Sequence, residues 1–169
     1  MKFTVTIFAV ALLASSTAAR AEDPVSLGAF EDWEAFMYHS DGAPVCYVLS
    51  TPKKSDADKK IIHRDPVYFM VTHFSGRKVK GQISTIIGYP FKEQTTVALK
   101  VDAQAFELYT NGDSAWAAAA DVEANVVKAM KTAKVLTVTG TSVRGTQTTD
   151  TYSLTGFNKA LEKIDMGCK

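Results

Sequence analysis

Three histidines, two cysteines and one lysine-rich run are the residues of this chain whose types could do chemistry, and their spacing limits what that chemistry is. A helical zinc site needs ligands at short intervals, as in H-E-x-x-H. His39, His63 and His73 have no such spacing. No G-x-S-x-G elbow presents a nucleophilic serine, and a Ser-His-Asp triad from distant positions is a geometry that sequence alone does not specify. Arg144-Gly145-Thr146 lacks the glycine and lysine spacing of a phosphate loop. Asp56 and Asp58 sit among lysines and read as charge balance, and no D-x-D-x-D-G calcium loop occurs. The expectation is therefore no catalytic residue, no metal ligand and no cofactor.

Cys46 and Cys168 are the only cysteines. In an oxidising compartment an even count reads first as a structural disulfide. The alternative, a reactive thiol pair, usually takes a local C-x-x-C form, which is absent. A bond between them would close nearly the whole mature domain and pin the chain's penultimate residue. The run 51–64 contains Lys53, Lys54, Asp56, Asp58, Lys59, Lys60, His63 and Arg64 and is the one local positive patch. It reads either as a solubilising loop or as a docking patch, with Lys53, Lys54, Lys59, Lys60 and Arg64 meeting anionic lipid or an acidic partner protein. Arg144 and Asp150 either pair to fix a turn or face a ligand; their position at strand ends favours the structural role.

Residues 1–21 set the compartment. Lys2 precedes an uncharged, apolar-centred stretch over 3–19, and Ala19-Arg20-Ala21 fits a small-x-small cleavage rule, so a signal peptide over 1–21 is expected. The stretch is too short and too rich in Ser and Thr for a membrane span. The mature domain would be 22–169, exported to the periplasm, the cell surface or beyond. The whole chain has 19 Lys+Arg against 18 Asp+Glu, and this balance removes the electrostatic case for nucleic acid.

The pattern that must position these residues is mainly β. Strands are expected over 30–38, 44–50, 67–74, 79–87, 95–101, 105–110, 135–139 and 148–154, with Asp41-Gly42 as a hairpin turn. Residues 22–28 read as a loose terminus and 51–64 as a loop. Trp116, Ala119, Val122, Val126 and Met130 recur at three and four, which predicts a helix over 114–131 capped by Asp113 or Ser114. Phe157, Leu161 and Ile164 predict a short helix over 156–165. The order lacks βαβ alternation, so the expected fold is one antiparallel β-sandwich or barrel-like domain. The aromatics near 68–74 and 89–91 read as core rather than as an exposed patch.

Several stretches taken together resemble the invasion-associated locus B family of exported bacterial proteins. They are Phe30-Glu31-Asp32-Trp33, Val45-Cys46-Tyr47, Pro52-Lys53-Lys54-Ser55, Tyr68-Phe69-Met70-Val71-Thr72-His73 and Gly88-Tyr89-Pro90-Phe91-Lys92. They continue through Phe106-Glu107-Leu108-Tyr109, Ala115-Trp116-Ala117, Ala129-Met130-Lys131, Ser142-Val143-Arg144-Gly145-Thr146, Asp150-Thr151-Tyr152-Ser153-Leu154 and Gly156-Phe157. The resemblance implies an exported, mostly β domain with a disulfide between Cys46 and Cys168, and an association with host-cell entry. It supplies no catalytic residue. The functional expectation is a non-enzymatic interaction protein whose partner is an envelope or host-surface protein. The alternatives are a periplasmic carrier of a small apolar ligand and an envelope hydrolase. The oligomeric state is left open.

Overall fold

The computed structural model describes residues 23–60 and 63–168. The expected signal peptide and its cleavage point lie outside the described residues. The chain runs β1 (Val25–Phe30), β2 (Trp33–Ser40), β3 (Ala43–Ser50), β4 (Lys54–Ala57), β5 (Tyr68–Phe74), β6 (Val79–Ile86), β7 (Thr96–Val101), β8 (Gln104–Asn111) and β9 (Ser114–Ala117). Then come α1 (Ala120–Met130), β10 (Val135–Thr141), β11 (Gln147–Ser153) and α2 (Phe157–Gly167). The β2–β3 turn is the expected hairpin: Asp41 and Gly42 take φ of 53° and 76°, the positive values that a two-residue connection demands.

The strands form one antiparallel sheet in the order β1-β2-β3-β5-β6-β9-β8-β7-β10-β11-β4. The fold is mainly β with one mid-chain and one C-terminal helix, as expected. The sheet is not closed into a barrel, because β1 and β4 remain edges. It nevertheless doubles back. Phe69 on β5 meets Tyr152 on β11 at a centroid distance of 5.9 Å. Trp33 on β2 donates its indole N–H to the Ser153 carbonyl at 3.0 Å. Both halves thus line one hydrophobic cluster that includes Trp33, Phe69, Ile83, Leu99, Leu136 and Tyr152.

Both helices pack on that inner side. Phe157 of α2 lies 5.0 Å from Trp33, and Val126, Ala129 and Met130 of α1 join the cluster. Gly156 permits the entry to α2. Its φ is +89°, and a Cβ there would fall 1.9 Å from the Phe30 carbonyl oxygen.

Four local expectations are corrected. The mid-chain helix begins at Ala120, because 114–117 is strand β9, paired with β6 and β8. Gly112, at φ +62°, turns the chain between β8 and β9, so Asp113 and Ser114 belong to that hairpin; Ala119 is the N-cap and has no side-chain cap bond. Cross-strand pairing overrode a helical periodicity that Trp116 joined by coincidence. The strand expected from residue 30 is divided by Glu31, at φ 55°, so that β1 ends there and the loosely read terminus becomes an edge strand. Lys54–Ala57 is also a strand, because β11 offers it a free edge.

One buried group predicts a gain on removal. The Tyr152 hydroxyl is buried without a hydrogen-bond partner. Its neighbour Thr85 donates its own proton to the Tyr68 carbonyl at 2.9 Å; the Thr85 oxygen is near enough to draw the phenol down a little but makes no bond of proper geometry with it. Burial pushes the Tyr152 phenol up, so it stays neutral. Deleting an unsatisfied polar atom removes its desolvation cost, so Tyr152→Phe is expected to stabilise the protein by about 1 kcal/mol. The readout is the urea midpoint at unchanged slope. A loss of stability would mean that the hydroxyl is bonded in solution.

Candidate functional site

Two features qualify as sites: a cleft where three segments meet and the outer face of the sheet, which neither described helix covers. The cleft is built first from a buried ion pair. Arg64 Nη1 donates to Asp150 Oδ1 at 2.8 Å and Nη2 to Oδ2 at 2.5 Å, a bidentate arrangement. Ser55 Oγ donates to Asp150 Oδ1 at 2.6 Å, and Arg64 Nε to the Ile87 carbonyl at 2.8 Å. The Arg64 and Asp150 side chains are 10% and 0% exposed, so solvent screens this pair little.

The guanidinium also lies 5.2 Å from the centre of the Tyr89 ring. Tyr89 shares a 2.7 Å hydrogen bond with Thr148 and donates to the Gly140 carbonyl at 3.1 Å. Burial pushes its phenol up, so it acts as a donor. Gly88 is required beside it: its φ is +76°, and a Cβ would come within 2.2 Å of the Asp65 carbonyl oxygen. The 88–92 segment is stitched to the β10–β11 hairpin by Val143 N–H to the Pro90 carbonyl and Lys92 N–H to the Thr141 carbonyl. Over this rigid floor lies a cleft of about 360 Å³, lined by Lys60, His63, Asp65, Tyr89, Pro90, Val143 and Arg144 among others.

The basic run is distributed rather than presented as one patch. Lys53 pairs with Asp32 at 2.5 Å, and that hydrogen bond holds the Asp32 carboxyl below its ordinary value. Lys54 pairs with Asp56 at 2.6 Å along β4. Lys59 donates to the Gly145 carbonyl at 2.8 Å. Lys60 lines the cleft. Arg64 is the correction: its charge is buried against Asp150 and does not face solvent. Asp150 therefore has its structural role, but with Arg64 as partner, while Arg144 lies exposed at the cleft.

Both ring nitrogens of His73 are engaged. Nδ1 accepts from Gly81 N–H and Nε2 meets Asp165, each at 3.0 Å. His63 pairs with Asp65 at 3.0 Å in full solvent. Among the described residues, no three of His, Cys, Asp and Glu gather as a metal site. Cys46 and Cys168 are joined as a disulfide.

The outer face follows from register. Glu34, Leu49, Met70, Ser84, Trp116 and Tyr109 stand in one row across six strands. Phe36, Tyr47, Thr72 and Gln82 form the next row, and Tyr38, Val45 and Phe74 the one beyond. Phe36 stacks on Tyr47 at 5.3 Å and Tyr109 on Trp116 at 5.7 Å. Glu34, at one end, is the only charged side chain in these rows. Tyr109 is 49% exposed, and most of the other rings are half-buried. The aromatics of 68–74, expected in the core, divide between the two faces. Phe69 is in the core, but Tyr68, Met70 and Phe74 point outward. The missed signal is large apolar residues at both parities of one strand, which predicts two apolar faces.

The family profile described as Invasion associated locus B (IalB) protein matches residues 33–165. Among solved structures, the crystal structure of invasion associated protein b from Bartonella henselae is similar, with a TM-score of 0.59 at 17% identity, covering 85% of this chain and 97% of that one. At that identity the likeness speaks for the fold alone. No curated protein matches the sequence.

Proposed function

Because the chain belongs to the invasion-associated locus B family, we propose that it is an exported, non-enzymatic interaction protein of the bacterial envelope that docks a partner protein through the outer aromatic face of its sheet. Export is supported by the apolar leader and by the Cys46–Cys168 disulfide, which suits an oxidising compartment. No helix among the described residues is long and apolar enough to cross a membrane. The names of the family and of the structural neighbour associate those proteins with invasion. For this chain the partner is an envelope or host-surface protein.

The observation that carries the reading is the row from Leu49 to Tyr109. Tyr, Trp, Phe and Met enriched, with Lys and Glu depleted, is the composition of a protein interface core. Anionic lipid and nucleic acid both call for clustered cations; the rows themselves hold none, and the single Arg77 guanidinium over the Phe74 ring, 3.7 Å from its centre, makes no cluster. Six strands at about 4.8 Å spacing and about 20 Å of strand length give a face on the order of 500 Å² in projection. With side-chain relief this approaches one partner's share of a standard interface.

Site-specific photo-crosslinking in intact cells tests it. A probe at Tyr109 or Tyr47 is expected to capture one discrete partner, and the same probe at Asp121 on α1 is expected to miss it. Trp116→Ser should weaken that capture about tenfold with the spectroscopic signature of the fold retained. Equal capture from both faces, or none where a known envelope complex is caught, would overturn the reading.

A further inference from the structure

We propose that the cleft between Lys60, the 63–65 segment, the 88–92 loop and the β10–β11 hairpin is a binding site for a small organic carboxylate with a short apolar body. Two cations line it, Lys60 and Arg144, and neither has an ion-pair partner among the described residues. Asp65 is the one carboxylate in the lining, and it faces His63 at 3.0 Å. Beneath the floor, Arg64 and Asp150 cancel each other. Counted formally over Lys60, Arg144 and Asp65, the cleft carries one surplus positive charge. That matches a monovalent carboxylate better than a dianionic phosphate. The Arg144 guanidinium also offers the planar fork that pairs with a carboxylate.

The rest of the lining suits an apolar body. The Tyr89 ring, Pro90 and Val143 stand beside the cations, and Val143 is 56% exposed, a large apolar side chain left in water next to Arg144. A pocket of about 360 Å³ lies at the small end of ligand sites. Its walls on the 88–92 loop and the β10–β11 hairpin are already held. The Tyr89 hydroxyl is committed to Thr148 and Gly140, Ser142 Oγ accepts from Thr146 N–H, and Lys59 fastens the hairpin tip at the Gly145 carbonyl. On those two walls little ordering is left for a ligand to impose, and preorganisation of this kind favours affinity.

Titrating the disulfide-intact, isotope-labelled protein with hexanoate, acetate and hexanamide, and following backbone amides, tests the proposal. Hexanoate is expected to saturate with shifts at Gly88, Val143, Gly145 and Thr146, at least tenfold tighter than acetate (head alone) or hexanamide (no charge). Arg144→Gln is expected to weaken hexanoate about tenfold, and Val143→Ser about threefold. Both residues are exposed, so the amide spectrum elsewhere should stay put. N-acetyl-leucine in place of hexanoate distinguishes the sources of the chemistry. Tighter binding identifies a peptide C-terminus and weaker binding a free acid, and either ranking supports the site. Equal affinity for hexanoate and hexanamide, an unaffected Arg144→Gln variant, or shifts confined to Tyr47, Tyr109 and Trp116 would overturn it. Partner docking on the outer face does not depend on this result.

Discussion

Asp150→Ala is expected to destabilise the protein by about 3–5 kcal/mol, the characteristic cost of stranding one member of a buried ion pair. The Arg64 side chain is 10% exposed, and without Asp150 both of its bidentate bonds are lost. The guanidinium cannot simply move into solvent, because Nε is tied to the Ile87 carbonyl and the plane lies against Tyr89. Ser55 also loses its acceptor, so the β4 edge loosens with the same change. The double variant Arg64→Met/Asp150→Leu is expected to be more stable than Asp150→Ala. The intact pair gains little over apolar packing once its desolvation is counted, and the large penalty belongs to the unpaired charge. Urea unfolding of the wild type and the two variants measures the difference. A loss below about 1 kcal/mol for Asp150→Ala would mean that water reaches Arg64 and that the pair is effectively a surface one.

That ion pair also marks the limit of what the sequence made legible. Strand alternation and turn residues identified β2, β3, β5 to β8, β10 and β11, because those elements are specified locally by their own apolar pattern and by turns such as Asp41-Gly42. The errors fell where a neighbour decided the conformation. Lys54–Ala57 has a polar pattern and is a strand only because β11 lies alongside. Ser114–Ala117 carries helix-compatible residues and is a strand because β6 and β8 both claim it. Arg64 and Asp150 are separated by 86 residues, and nothing local tells a buried arginine from the solvated lysines around it. The same holds for the cleft, whose lining comes from segments brought together by the backbone bonds that Asp65, Lys92 and Val143 donate to Gly88, Thr141 and Pro90. The Cys46–Cys168 bond was legible because only two cysteines exist to pair.

Cys46→Ser is expected to cost about 2–5 kcal/mol, the usual range for removing a native disulfide and consistent with the chain-entropy value of roughly 4–5 kcal/mol for a loop of this length. The bond spans 122 residues and fixes the end of α2 to the inner face of β3. The loss should be uneven. The core strands retain their pairing, while α2 retains its buried Phe157, Leu161 and Ile164 and one polar tether near its end. There Asp165 takes hydrogen bonds from Lys80 at 2.8 Å and His73 at 3.0 Å. Burial alone would raise the Asp165 carboxyl, but the two partners together outweigh it and hold it below its ordinary value of 3.8. A depressed carboxyl stabilises the folded state above its unfolded value, and that contribution fades as the pH falls through the folded one. In wild type the covalent bond still holds α2 when Asp165 is protonated. In Cys46→Ser nothing replaces it. Amide protection factors in the last two turns of α2 are therefore expected to fall on acidification below 3.8 in the variant and to hold in the wild type, while those of β3 and β5 hold in both. Equal thermal midpoints for oxidised wild type and Cys46→Ser would show that the native bond stores enough strain to cancel its entropic gain, and uniform loss of protection would show that α2 and the sheet unfold as one unit.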